Sequence, residues 1–273
     1  MNAFLQSCKK KLLLHGIDNA KKELEWFIEK NSLFTKDEIL LNKIKINDNL
    51  KTKILNFVDR RSNLEPFQYI LESSTFYGRD FYVNPSVLIP RPETETIIYQ
   101  LKKSTQTFNH ALDIGTGSGN LAITLSLEKI VKKVTAIDKS YKALKVAKEN
   151  ARQYNTKNIK FVQQDFLDDK IINKYDLIVS NPPYISIDEY MNLNKQVKNH
   201  EPAIALTDFH DGLLFYKKIE ENLNTVLCDN GALFLEIGLE KQKDKINKIF
   251  NKYCTTWFKD LNGDYRVVKI KKN

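Results

Sequence analysis

From residue 110 onward the chain alternates short apolar runs with longer amphipathic ones. This alternation constrains the fold more than any other feature of the 273 residues. "HALDIG", "KVTAID", "IKFVQQD", "YDLIVSN" and "GALFLEIG" have the length and β-branched content of buried strands. Between or after them, "SGNLAITLSLEK", "SYKALKVAKENARQY", "DGLLFYKKIEENLNTVL" and "LEKQKDKINKIFNKY" repeat their apolar residues at helical spacing. In the second of these, Ala143, Leu144, Ala147 and Ala151 share one face. Strand–helix alternation at this spacing predicts an α/β fold, a doubly wound Rossmann-like parallel sheet with right-handed crossovers. "TTWFKDL" and "YRVVKI", flanking Asn262-Gly263, predict a closing antiparallel pair at one edge.

The preceding chain differs in texture. Residues 1–72 are rich in Leu, Ile, Lys, Glu and Asn, with Gly16 as their one glycine. Ile17, Ala20, Leu24, Phe27 and Ile28 fall on one helical face, and Leu50, Ile54, Phe57 and Val58 on another. Thr35 and Glu38 have the spacing of a capping box. These patterns predict a small bundle of about four short helices. Residues 73–92 read as a connector: a β-hairpin split by Gly78-Arg79, then Pro85, Pro90 and Pro92 before a helix starting near Glu93. "DDKIINK" after Asp165 offers a further short helix, with Asp165 as its N-cap. The expected domains are thus a bundle (1–72), a connector (73–92) and the sheet domain (93–273).

Composition narrows the class. No run reaches the roughly 18 consecutive apolar residues of a membrane span, and the N-terminus lacks the pattern of a secretory signal. Cys8, Cys228 and Cys254 are far apart and match no disulfide or zinc spacing, so reduced thiols in a cytoplasmic protein are expected. No His/Cys/Asp grouping suggests a metal. The net charge of +9 invites a nucleic-acid partner. Most of the excess, however, lies in residues 241–273, while residues 91–240 are close to neutral. A solvated lysine face accounts for the tail, with docking on an acidic partner as the alternative.

In "LDIGTGSGNLA", Gly115, Gly117 and Gly119 sit at a strand-to-helix turn, with Thr116 and Ser118 between them. Glycines there let a ligand approach the backbone closely. Asp138 ends the next strand, where a carboxylate can accept both ribose hydroxyls. Glycines and acid together predict an adenosine-containing ligand. Gly117 to Ala122 satisfies the dinucleotide fingerprint G-x-G-x-x-A. Asp113 weighs against a dinucleotide, because a carboxylate would repel a pyrophosphate and attract the ammonium of a methionine moiety. S-adenosylmethionine is therefore favoured over NAD. Asp165 and Phe166 end the third strand, where the acid could bond the adenine amino group and the ring could flank the base.

The fourth strand ends on Asn181-Pro182-Pro183-Tyr184. Asn181 offers an amide oxygen, Pro182 a carbonyl with no competing N–H, and Tyr184 a flat face. Two acceptors and a plate suit a planar –NH2 group, whose nitrogen lone pair would then be aimed at a sulfonium methyl. A proline-rich turn that merely ends the strand is the plainer alternative.

"NPPY" with "DIGTGSG" resembles the amino-methyltransferases of planar nitrogens. "VLIPRPETE" (87–95), "EPAIAL" (201–206), "DGLLFYKKI" (211–219) and "LEIGLEKQ" (235–242) narrow the likeness. Together they resemble the HemK/PrmC family, the peptide chain release factor glutamine methyltransferases, from about Pro66 to the C-terminus. The resemblance implies methyl transfer from S-adenosylmethionine to the side-chain nitrogen of the glutamine in the Gly-Gly-Gln motif of class 1 release factors. It implies that the loop Gly115–Gly119, Asp138, Phe166 and Asn181 bind the cofactor, to which the reading of the residues adds Asp113 and Asp165. Asn181, Pro182, Pro183 and Tyr184 would hold the glutamine and carry the catalysis. The bundle would dock the release factor. Position 166, often Trp in the family, is Phe here. Arg91, Glu93 and Glu95 are left between bracing the first helix and acting in the site. A monomer with no direct nucleic-acid substrate is expected. The alternatives are an N6-adenine methyltransferase acting on a flipped base, a methyltransferase of a ribosomal-protein glutamine, and a non-catalytic adenosine-binding module.

Overall fold

Apolar side chains three and four residues apart fold the first part of the chain into helices Ala3–Leu14, Ala20–Asn31, Lys36–Leu40, Asp48–Ser62 and Phe67–Ile70. The computed structural model describes residues 3–41, 43–238 and 240–273. Met1, Asn2 and Asn42 lie outside them, as does Leu239 of "LEIGLEKQ". Ile17, Ala20, Leu24, Phe27 and Ile28 are buried together with Leu50, Ile54, Phe57 and Val58 in one core. Both halves of the Thr35–Glu38 capping box are formed. A buried ion pair crosses this core: Arg61 Nε and Nη2 donate to the two oxygens of Glu23 at 2.7 and 3.2 Å.

The chain divides into two compact units. The helical unit comprises residues 1–73 and the later segment 194–200, whose helix Lys195–His200 ends with the His200 ring against the Asn63 carbonyl. The sheet unit comprises residues 74–193 and 201–273. It begins with the hairpin of β1 (Ser74–Phe76) and β2 (Arg79–Phe81). Arg79 pairs with Phe76, so the turn is Tyr77-Gly78 rather than Gly78-Arg79, and both turn residues take positive φ. Phe76 and Phe81 are wholly buried in the core of this unit.

Seven further strands form one sheet: β3 (Phe108–Ile114), β4 (Val131–Asp138), β5 (Ile159–Gln163), β6 (Tyr175–Ser180), β7 (Leu227–Glu236), β8 (Cys254–Lys259) and β9 (Tyr265–Lys271). Their order is β5-β4-β3-β6-β7-β9-β8. The first five pair in parallel, and β9 runs antiparallel to both of its neighbours. The sheet is covered on two sides, as strand alternation requires. Ala111 joins Ile97, Ile98, Leu101, Leu121 and Ile123 in one core, whereas Leu112 and Ile114 join Ile219, Leu223, Val226 and Phe250 in the other. "DDKIINK" forms no helix. Asp165 instead anchors a turn, with its carbonyl accepting from the Asp168 and Asp169 amides. The helix expected over "LEKQKDKINKIFNKY" is confined to Lys243–Ile249, preceded by a 3-10 turn.

β3 is the switch point of the sheet. The chain moves from it to β4 on one side and later returns to β6 on the other. Such a reversal opens a crevice at the carboxyl ends of the strands.

Candidate active site

Strand register decides which residues meet in that crevice. Ile114 pairs with Ser180, and Ser180 with Leu235. The next residues along the three strands are Gly115, Asn181 and Glu236, set side by side at the carboxyl edge. Ser180 Oγ ties the edge together by donating to the Ile114 carbonyl at 2.8 Å.

A cavity fills the crevice. Asp113, Gly115, Thr116, Gly117, Ser118, Asp138, Asp165, Phe166, Asn181 and Pro183 line it, all expected from the sequence. Gly119, Pro182 and Tyr184 do not. Gly119 has φ +81°, and a Cβ there would lie 3.0 Å from Ile123 Cδ1 and 3.2 Å from Ala147 Cβ. It therefore permits close packing of helices Asn120–Leu127 and Tyr141–Gln153 rather than ligand approach. Gly115 is the reverse case: at φ +71°, its missing Cβ leaves open space.

The two acids of the loop differ in their electrostatics. Asp138 spends one lone pair on each oxygen, accepting from Gly117 N at 2.9 Å and Ser140 N at 2.8 Å. A carboxylate has about four acceptor sites, so two remain for hydroxyls. Burial raises the Asp138 carboxyl above its ordinary range, and the two amide bonds oppose the rise. Asp113 is 1% exposed. Its Oδ2 accepts from Thr116 Oγ1 at 2.7 Å, while Oδ1 is buried with no hydrogen-bond partner. Burial pushes its pKa up to about 7, against the opposing pull of the Thr116 hydroxyl and the Ala122 backbone amide. An acceptor so placed is incomplete without a donor.

At the far wall, Phe166 lies parallel to Phe215, with centroids 6.4 Å apart and planes 16° apart. Asp165 pairs with Lys139 at 2.7 Å and accepts from Leu167 N at 3.1 Å. Burial raises its carboxyl, but these bonds outweigh burial and hold it below its usual range.

The lining residues Asp208 and Thr94 escape sequence reasoning. Asp208 accepts from the backbone amides of His210, Gly212 and Leu214, at 2.8, 3.0 and 2.9 Å, and so shapes the loop that carries Phe209 and Phe215 to the cavity. Arg91 lines the cavity and donates to Glu201 at 2.5 Å, while the other Glu201 oxygen accepts from Ile89 N at 3.2 Å. Glu201 thus holds the "VLIPRP" segment against the cavity. Glu95 is a brace, accepting from Tyr77 N at 2.8 Å. Thr94, between the two glutamates of "RPETE", lines the cavity and touches Asn181: Asn181 Nδ2 donates to Thr94 Oγ1 at 3.0 Å. "EPAIAL" and "DGLLFYKKI" carried the signal for Glu201 and Phe215, but only as strings without a geometry.

S-adenosylmethionine fits these residues. Its ammonium would complete the orphaned Asp113 Oδ1, its ribose would meet the two free acceptor sites of Asp138, and its adenine would lie by Phe166. The open space over Gly115 would admit the chain between them. Among the described residues, no group of three or more His, Cys, Asp or Glu could hold a metal ion. No described helix is long and apolar enough to cross a membrane.

Comparison with known proteins agrees. A family model described as "Methyltransferase small domain" matches residues 92–199. A release factor glutamine methyltransferase of Bacillus subtilis is 44% identical over 214 residues, 74% of each chain. One of Buchnera aphidicola is 36% identical over 272 residues, 98% of this chain and 97% of that one. A methyltransferase of Pyrococcus furiosus superposes with a TM-score of 0.53 at 21% identity, covering 83% of this chain and all of the other, which shows the same fold. The sheet, the glycine loop and these relatives place the chain in the release factor glutamine methyltransferase family.

Proposed function

We propose that this chain transfers the methyl group of S-adenosylmethionine to the side-chain amide nitrogen of the glutamine in the Gly-Gly-Gln motif of class 1 release factors. One observation carries the chemistry: Asn181 stands beside Gly115 at the carboxyl edge, in the cavity that also holds Asp113 and Asp138. The cofactor supplies an electrophilic methyl on a sulfonium. The chain's task is to aim a weak nucleophile at it. Asn181 Oδ1 and the Pro182 carbonyl each take one N–H of the glutamine amide, which turns the nitrogen lone pair toward the methyl. Both acceptors gain strength as positive charge develops on that nitrogen, and this favours the transition state over the ground state. Pro183 closes the cavity wall, and Tyr184, outside the lining, donates its hydroxyl to Glu236 at 3.2 Å. As the N–C bond forms the C–S bond would break, the sulfonium would leave as a neutral thioether, and the surplus proton on the nitrogen would pass to solvent. The helical bundle docks the release factor, with exposed apolar residues such as Trp26, Leu33 and Leu41 available for contact. The enzyme works as a cytoplasmic monomer and takes no nucleic acid as substrate.

The experiment is a substrate panel. The purified chain is incubated with methyl-labelled cofactor and, separately, a class 1 release factor, duplex DNA and ribosomal protein. Label on the release factor glutamine supports the proposal. Label confined to DNA or to ribosomal protein overturns it.

A further inference from the structure

The two ends of an asparagine side chain have nearly the same shape and opposite hydrogen-bonding character. A clamp for an –NH2 group works only if Asn181 presents oxygen to the cavity. With the amide turned over, NH2 would face NH2 and no acceptor would remain. Something must fix the orientation.

We propose that Thr94 and Glu236 are positioning residues that fix which end of the Asn181 amide faces the substrate. The inference deepens the proposed function and rests on it. Asn181 Nδ2 donates to Thr94 Oγ1 at 3.0 Å, and Thr94 Oγ1 donates to Glu236 Oε2 at 2.5 Å. The other carboxylate oxygen accepts from the Tyr184 hydroxyl at 3.2 Å. With Glu236 ionised, proton counting makes this order compulsory. An ionised carboxylate has no proton, so the single hydroxyl proton of Thr94 must go to it. Thr94 Oγ1 then has only lone pairs to offer Asn181. A flipped Asn181 would set its carbonyl oxygen against those lone pairs. Nδ2 therefore faces Thr94, and Oδ1 is left for another donor. The same carboxylate orients the Tyr184 hydroxyl.

Burial makes the relay effective. Thr94 is 2% exposed and Glu236 1% exposed, so water does not supply substitute partners. Glu236 is held in turn through its backbone, where its carbonyl accepts from the Tyr216 hydroxyl at 2.8 Å. The three members come from the turn ahead of the first helix of the sheet unit and from the ends of β6 and β7.

The test uses the full-length chain and the variants Thr94→Val, Thr94→Ser and Glu236→Gln. Valine keeps the shape of threonine and removes the hydroxyl. Serine restores the hydroxyl without the methyl. Glutamine keeps the size of Glu236 but brings a donor to a place that requires two acceptors. With release factor and saturating cofactor, Thr94→Val and Glu236→Gln are expected to lower kcat by about 10- to 100-fold, a fraction of what a direct transition-state contact supplies. Cofactor Kd should stay within about threefold, and Thr94→Ser should recover most of the loss. Independently of any substrate, proton exchange of the Asn181 side-chain NH2, followed by NMR, should be slow in the wild type and in Thr94→Ser and fast in Thr94→Val. Equal kcat in Thr94→Val and wild type overturns the relay. So does a Thr94→Ser variant as impaired as Thr94→Val, or NH2 exchange that is unchanged by valine. A wild-type chain that leaves the release factor unlabelled would instead sink the proposed function, and the exchange measurement would still decide the relay.

Discussion

Replacing Asp113 by asparagine should move two quantities in opposite directions. In the free protein, the Asp113 carboxylate is buried, and Oδ1 has no partner. That is a destabilising arrangement at neutral pH, where an unsatisfied buried polar group costs about 1–3 kcal/mol, and more when charged. Asp113→Asn keeps an acceptor for Thr116 and removes the charge, so the unliganded protein should gain about 1 kcal/mol or more at pH 8. The bound state reverses the sign. Removing one partner of a buried, hydrogen-bonded charge pair costs about 2–5 kcal/mol, so cofactor Kd should weaken by roughly 30-fold or more. Proton linkage adds a third signature. The Asp113 carboxyl is raised from 3.8 to about 7 in the folded chain. The folded state therefore holds a proton that the unfolded state has lost between those values, and this group's contribution to stability declines as pH rises through that window. An ammonium arriving at Oδ1 favours the ionised form, so cofactor binding below pH 7 should expel a proton and tighten as pH rises from about 5 to 7. Titration calorimetry in buffers of different ionisation enthalpy measures both Kd and proton release, and thermal unfolding measures stability. A variant that binds the cofactor within threefold of wild type, or that is destabilised when unliganded at pH 8, would refute the assignment of Asp113 to the ammonium.

Three further outcomes follow from the geometry. Gly119→Ala should lower stability by about 1–3 kcal/mol, since a Cβ would crowd Ile123 and Ala147 at a left-handed φ; a denaturant midpoint equal to wild type would contradict the packing role. Arg61→Met should unfold the helical unit more readily, by about 3–5 kcal/mol, because Glu23 is left buried and unpaired; Glu23→Gln with Arg61→Met should recover part of the loss, and an unchanged hydrogen-exchange profile in residues 3–41 would contradict it. Burial raises the Glu236 carboxyl to about 7, with Thr94, Tyr184 and Arg266 opposing the rise or bonding the group and Glu93 adding to it. At saturating cofactor, which keeps Asp113 ionised, kcat should fall as pH drops below about 7, because a protonated Glu236 no longer dictates the direction of the Thr94 hydroxyl; a Glu236→Gln variant showing the same pH dependence would refute this origin.

The features legible in the sequence are those written by near neighbours. Strand and helix periods depend on residues two to four positions apart, so the alternation after residue 110 and the buried faces at Leu24–Ile28 and Ile54–Val58 could be read directly. The Thr35–Glu38 capping box is likewise a local hydrogen-bond pair. The hairpin turn was displaced by one residue because glycine is the usual occupant of a left-handed position, whereas here Tyr77 also takes φ +50°. "DDKIINK" has a helix-like pattern but lies beside the Asp165 turn, whose side-chain and backbone bonds compete with helix formation. Gly119 belongs to the glycine motif by sequence, yet its neighbours show that its lack of a side chain serves helix packing. The relay was not legible, because Thr94 meets Asn181 across 87 residues and Glu236 across 142. In "RPETE" both Arg91 and Thr94 reach the cavity, and the residue that bonds Asn181 is the uncharged threonine between Glu93 and Glu95. The grouping of residues 194–200 with the helical unit was equally invisible, since it depends on contacts far along the chain.

The central claim is that Asn181 serves as an acceptor for the substrate amide, and methyl transfer by Asn181→Ala tests it most directly. Single-turnover transfer to the release factor glutamine, quantified by mass spectrometry at saturating cofactor, should fall by about 100- to 1000-fold, the loss expected for one preorganised transition-state contact. The cofactor Kd should remain close to wild type. Transfer by Asn181→Ala at the wild-type rate would show that the Asn181 side chain does not hold the reacting amide.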